Sequence, residues 1–118
     1  MWKIGFNFVA PSSEMMTEFQ YAVLYVFKVK PNRQADFEEA WGAVTEAIQA
    51  QNGSGGSRLY KSSEQTYWAH ALWPSKDSLQ QAQLDVQALN AREVMVDACD
   101  SIEMLGEGAL VMDLWNQG

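Results

Sequence analysis

Two stretches of this chain alternate in a way that leaves neither side polar. In Tyr21 to Val29, the residues Tyr21, Val23, Tyr25, Phe27 and Val29 share one face of an extended chain, and Ala22, Leu24 and Val26 share the other. Thr66 to Trp73 repeats the arrangement, with Tyr67, Ala69, Ala71 and Trp73 on one side and Trp68, His70 and Leu72 on the other. A strand apolar on both faces needs a covering layer on each. Helical periodicity is found in only two regions, so the spacing predicts helices over one face and leaves the second face for another body.

The first helical region follows Pro31, with Asn32 placed to cap it and Phe37, Trp41, Val44 and Ile48 on one stripe. Asn52-Gly53 suits its end, since glycine accepts the left-handed backbone there. Arg58 to Ser62 reads as a strand joined to Thr66–Trp73 by a hairpin at Ser63-Glu64-Gln65. Pro74 ends that strand and Ser75 offers the next cap. The second stripe, Leu79, Ala82, Val86 and Leu89, drifts towards Val94, Met95 and Ala98, which predicts a bend near Leu89-Asn90 or two shorter helices. A final strand is expected in two pieces, Ile102 to Leu105 and Ala109 to Trp115, divided at Gly106 and Gly108.

The predicted order is β-α-β-β-α-β, the ferredoxin-like α+β arrangement, with both helices on one face of an antiparallel sheet. A second copy packed against the open face would close most of a barrel, so a homodimer is the expected state. The domain is expected over 20–118. It follows an N-terminal arm, 1–19, in which Trp2, Ile4, Phe6 and Phe8 alternate with Lys3, Gly5 and Asn7, which suggests a short extra strand ended by Pro11-Ser12-Ser13 and followed by a short helix from Ser13. Whether that arm docks on its own sheet or on a partner is open at this level.

Composition narrows the function classes. A chain of 118 residues is one domain, and 47% apolar content is that of a globular one. The formal net charge of −7, with Lys28, Lys30, Arg33, Arg58 and Lys61 dispersed, argues against nucleic-acid binding. A single cysteine, Cys99, rules out an intrachain disulfide and fits a reducing, cytoplasmic setting. The opening residues do not resemble a signal peptide, and no segment has the ~20 apolar residues needed to span a bilayer.

One histidine and one cysteine cannot make a zinc site of three or four N/S ligands, so no metal is expected. Glu93, Asp97 and Asp100 share a helix face, but mutual repulsion near a helix C-terminus makes them a solvated face. The Gly53-Ser54-Gly55-Gly56 run leaves a helix and enters a strand, the reverse of a phosphate-binding loop, and reads as a connector. What remains is aromatic: Tyr25, Phe27, Trp41, Tyr60, Tyr67, Trp68 and Trp73 form either plain core or the wall of a pocket for a flat apolar ligand.

The stretch GSGGSRLYKSSEQTYWAHALWPSKDSLQQA, closing its strand in Trp73-Pro74-Ser75, resembles the middle of the antibiotic biosynthesis monooxygenase family, and Phe37 and Trp41 look like that family's first helix. The likeness extends over about residues 20–115. It implies a dimeric α+β barrel, and in some members the oxidation of polycyclic phenols to quinones by molecular oxygen without metal or flavin. It also places Trp73 on the family's pocket tryptophan and Ala69 where quinone-forming members carry an asparagine. No histidine follows Pro74, which argues against haem degradation. Two functions follow. One is a cofactor-independent monooxygenase acting on a flat phenolic or quinol-type molecule, with His70, Tyr67 and Arg58 as catalytic candidates and Trp73, Tyr25, Tyr60, Phe37 and Trp41 as ligand contacts. The other is a non-catalytic or stress-associated small-molecule-binding barrel that has lost the asparagine.

Overall fold

The computed structural model describes residues 19–114. The strand expected over Trp2–Phe8, the helix expected from Ser13 and the terminal Trp115 lie outside the described residues. Strand β1, Tyr21–Val29, leads to helix α1, Gln34–Asn52, then to strands β2, Gly56–Ser63, and β3, Thr66–Trp73. Two short helices follow, α2, Lys76–Gln81, and α3, Val86–Asp97, before strand β4, Cys99–Ala109. The four strands form one antiparallel sheet in the order β2-β3-β1-β4. This is the ferredoxin-like order, with the most apolar strands, β1 and β3, at its centre.

The helices cover one face. Val23, Phe27, Val29, Tyr67, Ala69 and Trp73 are buried beneath them with Phe37, Ala40 and Val44 of α1 and Ala88 of α3. On the opposite face Leu24, Tyr60 and Trp68 are 44%, 47% and 50% exposed. The alternation in β1 and β3 therefore translates directly into one covered and one open sheet face.

Several boundaries differ from expectation, each for a local reason. Asn32 does not cap α1. It takes a left-handed conformation, φ 65°, in the turn after Pro31, and Arg33 begins the helix without a side-chain cap. Arg33 instead ties the helix start to Asp36 at 2.9 Å and to Asp97 at the end of α3 at 3.2 Å. The α2–α3 break falls at Ala82–Asp85 rather than near Leu89. Asn52 donates to the Gln83 carbonyl and accepts from the Gln83 amide, while Gln51 donates to Asp85, whose other oxygen caps Ala88. Those long-range bonds fix the break against the end of α1. The last strand is not split: β4 runs unbroken past Gly106, and a register shift opposite Leu24 and Tyr25 leaves Leu105 as a bulge. Gly53 does end α1 in the left-handed region, φ 73°.

Candidate functional site

The layer between helices and sheet is filled at one end and hollow at the other. At the filled end the rings of Phe27 and Phe37 lie 5.0 Å apart, and those of Phe37 and Tyr67 4.8 Å apart. Val29, Ala98 and Cys99 close this cluster. Towards the other end of β3 the helix-facing side chains shrink to Ala69 and Ala71 before Trp73, and a cavity of about 290 Å³ opens above them. The floor is Tyr25, Ala69, Ala71 and Trp73, and α1 contributes Trp41, Val44 and Ile48. Leu79 and Ala82 of the α2 region, with Met95 and Val96 of α3, complete the wall. Its volume is close to the lower end of the range that small-molecule sites occupy, and its lining, apolar with few polar groups, is of the kind such sites have.

Few polar groups in the cavity are available to a ligand. The hydroxyl of Ser54 donates to the Leu72 carbonyl and accepts from the Gly56 amide, and that of Ser57 donates to the His70 carbonyl. The Tyr25 phenol is pushed above its ordinary pKa, first by burial and then by the charge of Glu107, so it stays protonated. Among the described residues Arg92 is the only charged side chain lining the cavity. It has no ion-pair partner among the described residues and is solvent-exposed at the cavity's edge, its stem covering apolar surface.

The residues expected at a site divide into three groups. Trp73, Tyr25 and Trp41 do line the cavity. Phe37 and Tyr67 belong to the filled end: Phe37 is wholly buried, and the Tyr67 hydroxyl donates to a Glu38 carboxylate oxygen of α1 at 2.5 Å. Burial foremost, and then that carboxylate, hold the Tyr67 phenol well above its usual pKa, which makes it a fixed donor rather than a base. Arg58, Tyr60 and His70 lie on the open sheet face. Arg58 stands opposite His70, and Tyr60 opposite Trp68, in the β2–β3 register. The expected grouping of Arg58 and Tyr60 with Trp73 is thereby corrected, because Leu59 between them turns inward to the core. His70 does face away from Trp73, as alternation requires.

Arg92 was not among the expected site residues, although the sequence holds a signal for it. It lies four residues after the buried Ala88 and three before Met95, so a cation stands on the apolar stripe of α3. The expected helix face of Glu93, Asp97 and Asp100 is corrected: α3 ends at Asp97, and Asp100 lies on β4. Asp97 pairs with Arg33, and the described residues contain no cluster of three His, Cys, Asp or Glu able to hold a metal ion. The Cys99 thiol is pushed up to about 11, mainly by burial and then by Asp100, and is inert at neutral pH.

The ferredoxin-like fold of this chain is shared by several solved proteins. SnoaB, a cofactor-independent oxygenase from Streptomyces nogalater, is similar with a TM-score of 0.69 and 17% identity, over 81% of this chain and 97% of that one. A conserved protein from Methanosarcina mazei gives 0.68 and 14% identity, over 83% and 99%. Rv0793 from Mycobacterium tuberculosis gives 0.66 and 16%, over 81% and 99%. These likenesses are of fold. The profile of the antibiotic biosynthesis monooxygenase family matches residues 20–93, and the chain belongs to that family. No curated protein sequence matches it.

Proposed function

We propose that the protein is a cofactor-independent monooxygenase whose substrate is a flat, acidic phenol held between Trp73 and Trp41 with its oxygen directed to Arg92. The observation that carries this reading is the composition of the cavity wall among the described residues: mostly apolar, with a single cation and a protonated Tyr25. Family membership supports oxygen chemistry, and SnoaB, similar in fold, is a cofactor-independent oxygenase.

The physical logic begins with the substrate. An activated methylene beside a phenol gives up a proton to form a delocalised anion, and a guanidinium at the phenolic oxygen lowers the pKa of that ionisation. The anion transfers an electron to molecular oxygen, and the resulting radicals combine to place a peroxide on the carbon. Loss of water then leaves a carbonyl: one oxygen atom stays with the product, and the other departs with the two hydrogens of the methylene. The protein's part is to stabilise the anion, hold the flat ring and keep bulk water from the peroxide. Among the described residues no carboxylate or imidazole lines the cavity, and on this reading the proton passes to solvent at the edge where Arg92 stands.

Self-association belongs to the same reading. Leu24, Tyr60 and Trp68 form an exposed apolar strip across β1, β3 and β2 that a second copy of the sheet would cover. His70 and Arg58 would then serve that interface rather than the reaction. Trp68→Glu is expected to leave a monomer in sedimentation. An unchanged oligomer would remove the pairing from the account.

A second reading is favoured by one residue. Ala69 occupies the cavity floor where the family resemblance implies an asparagine, and a methyl group cannot hold a substrate oxygen. On that reading the protein binds a small aromatic molecule without turning it over. Oxygen uptake with 1,8-dihydroxyanthrone separates the two. The oxygenase reading predicts uptake above the uncatalysed rate, a loss of at least about tenfold in kcat/KM for Arg92→Met, and a rise in the apparent pKa of the rate profile. Binding with no uptake would establish the second reading instead.

A further inference from the structure

The cavity floor has a ring at each end and only methyl groups between on β3. In the β1–β3 register Trp73 stands beside Tyr21, Ala71 beside Val23 and Ala69 beside Tyr25. Four residues of extended chain separate the first of these rows from the last, a distance of about 13 Å. A flat molecule lying over the two alanines therefore has Trp73 at one end and Tyr25 at the other. The Tyr25 ring is held there by the filled cluster, 6.2 Å from the ring of Phe27 and tilted 39° to it. On its other side β4 carries the bulge at Leu105, where the pairing shifts between Leu24 and Tyr25. Bulges recur beside active sites, where they bend a strand and re-aim what it carries.

Tyr25 differs from the other described side chains of the cavity in what it can do with a proton. The hydroxyls of Ser54 and Ser57 are committed to backbone groups. The Thr45 hydroxyl and the indole N–H groups of Trp41 and Trp73 can donate hydrogen bonds, but hold their protons too tightly to transfer them, and a guanidinium is not deprotonated in a protein. The Tyr25 hydroxyl has no hydrogen-bond partner among the described residues. A phenol ionises near pH 10, and water only at about 15.7, so a phenol readily gives its proton to a departing hydroxide. Burial, and then the charge of Glu107, disfavour the Tyr25 phenolate, so a proton given up is soon regained.

On the oxygenase reading, on which this inference rests, the geometry points to Tyr25 as the acid that turns the carbon-bound peroxide into the carbonyl. The O–O bond breaks and its electron pair leaves with the outer oxygen as hydroxide, which the Tyr25 proton converts to water. The C–H bond of the same carbon breaks, its pair becomes the second carbon–oxygen bond, and the proton released restores the phenol. Molecular oxygen is the oxidant, one water departs, and Tyr25 ends the turnover as it began. Arg92 and Tyr25 thus act at different steps, the cation in forming the substrate anion and the phenol in breaking the peroxide.

The test is a rapidly quenched reaction with 1,8-dihydroxyanthrone in which oxygen consumed, hydroperoxide and quinone are each measured. For Tyr25→Phe, the quinone formed per oxygen consumed is expected to fall at least about tenfold, with a hydroperoxide heavier than the substrate by two oxygen atoms making up the difference. Damaged packing would lower uptake and quinone together and leave that ratio alone. Arg92→Met is expected to slow uptake with the ratio retained. A Tyr25→Phe ratio equal to that of the unmodified protein would overturn the assignment, as would hydroperoxide accumulating in Thr45→Val instead. Should Tyr25→Phe consume no oxygen, a single turnover of the unmodified protein decides. Its quinone formation is expected to slow in heavy water, because the phenol proton is exchangeable, and an unchanged rate removes Tyr25 from the step. Absence of uptake by the unmodified protein is a separate result, which defeats the oxygenase reading and takes this step with it.

Discussion

The two ends of the helix–sheet layer are built by the same strands and the same helix, yet they do opposite things. Around Phe27, Phe37 and Tyr67 the rings pack against one another, 4.8–5.0 Å between centroids. A few residues along β3, alanines at 69 and 71 replace the rings and leave a space bounded by Trp41 and Trp73. Hydrophobicity alone does not separate these ends. Side-chain volume does, and that difference distinguishes a region that holds the protein together from one that can hold a ligand.

The sharpest contrast is expected from truncating the filled end. Phe37→Ala removes a wholly buried ring and is expected to cost about 3–5 kcal/mol in denaturant unfolding. A cost below about 1 kcal/mol would mean that the filled end relaxes as easily as the hollow one.

Enlargement should show the reverse asymmetry. Ala98 is fully buried in the filled cluster, so Ala98→Leu is expected to destabilise by about 1–3 kcal/mol. Ala71→Leu points into open volume and is expected to change stability by less than about 1 kcal/mol while abolishing binding of an aromatic ligand. Equal destabilisation by the two changes would indicate that the hollow end is packed in solution.

A smaller effect concerns the tie between Tyr67 and Glu38. Tyr67→Phe deletes one hydrogen bond whose carboxylate remains within reach of water, for a loss of about 1 kcal/mol. The folded phenol has a pKa above its ordinary value of 10.0. The unfolded chain therefore loses this proton first, and stability falls as pH rises through the unfolded value. Its contribution is whole below that pH, and the Tyr67→Phe protein should show a shallower alkaline decline. Identical pH profiles for the two proteins would remove Tyr67 from the alkaline transition.

Much of the filled end was legible in the sequence. β3 starts and stops where expected because a hairpin and Pro74 mark it locally, and the stripe of α1 falls on the core because its period is regular. What escaped depended on contacts distant in sequence. The break at Ala82–Asp85 is set by Gln51 and Asn52, some thirty residues upstream, and no local periodicity records that. Arg58 and Tyr60 were misplaced for a different reason. β2 is short and mixed, with only Leu59 to reveal which side faces inward. Arg92 was obscured because the apolar stripe drifts along α3, so no local pattern singles out a cation within it.

If the hollow end is where a flat aromatic molecule binds, alanine methyl groups report it directly. In a methyl-labelled protein titrated anaerobically with 1,8-dihydroxyanthrone, Ala69, Ala71 and Ala82 should shift together along one saturable curve, while Ala40 and Ala98 of the buried core stay fixed. Shifts centred on Ala98, or none at Ala69 and Ala71 at saturating ligand, would contradict the assignment of the site.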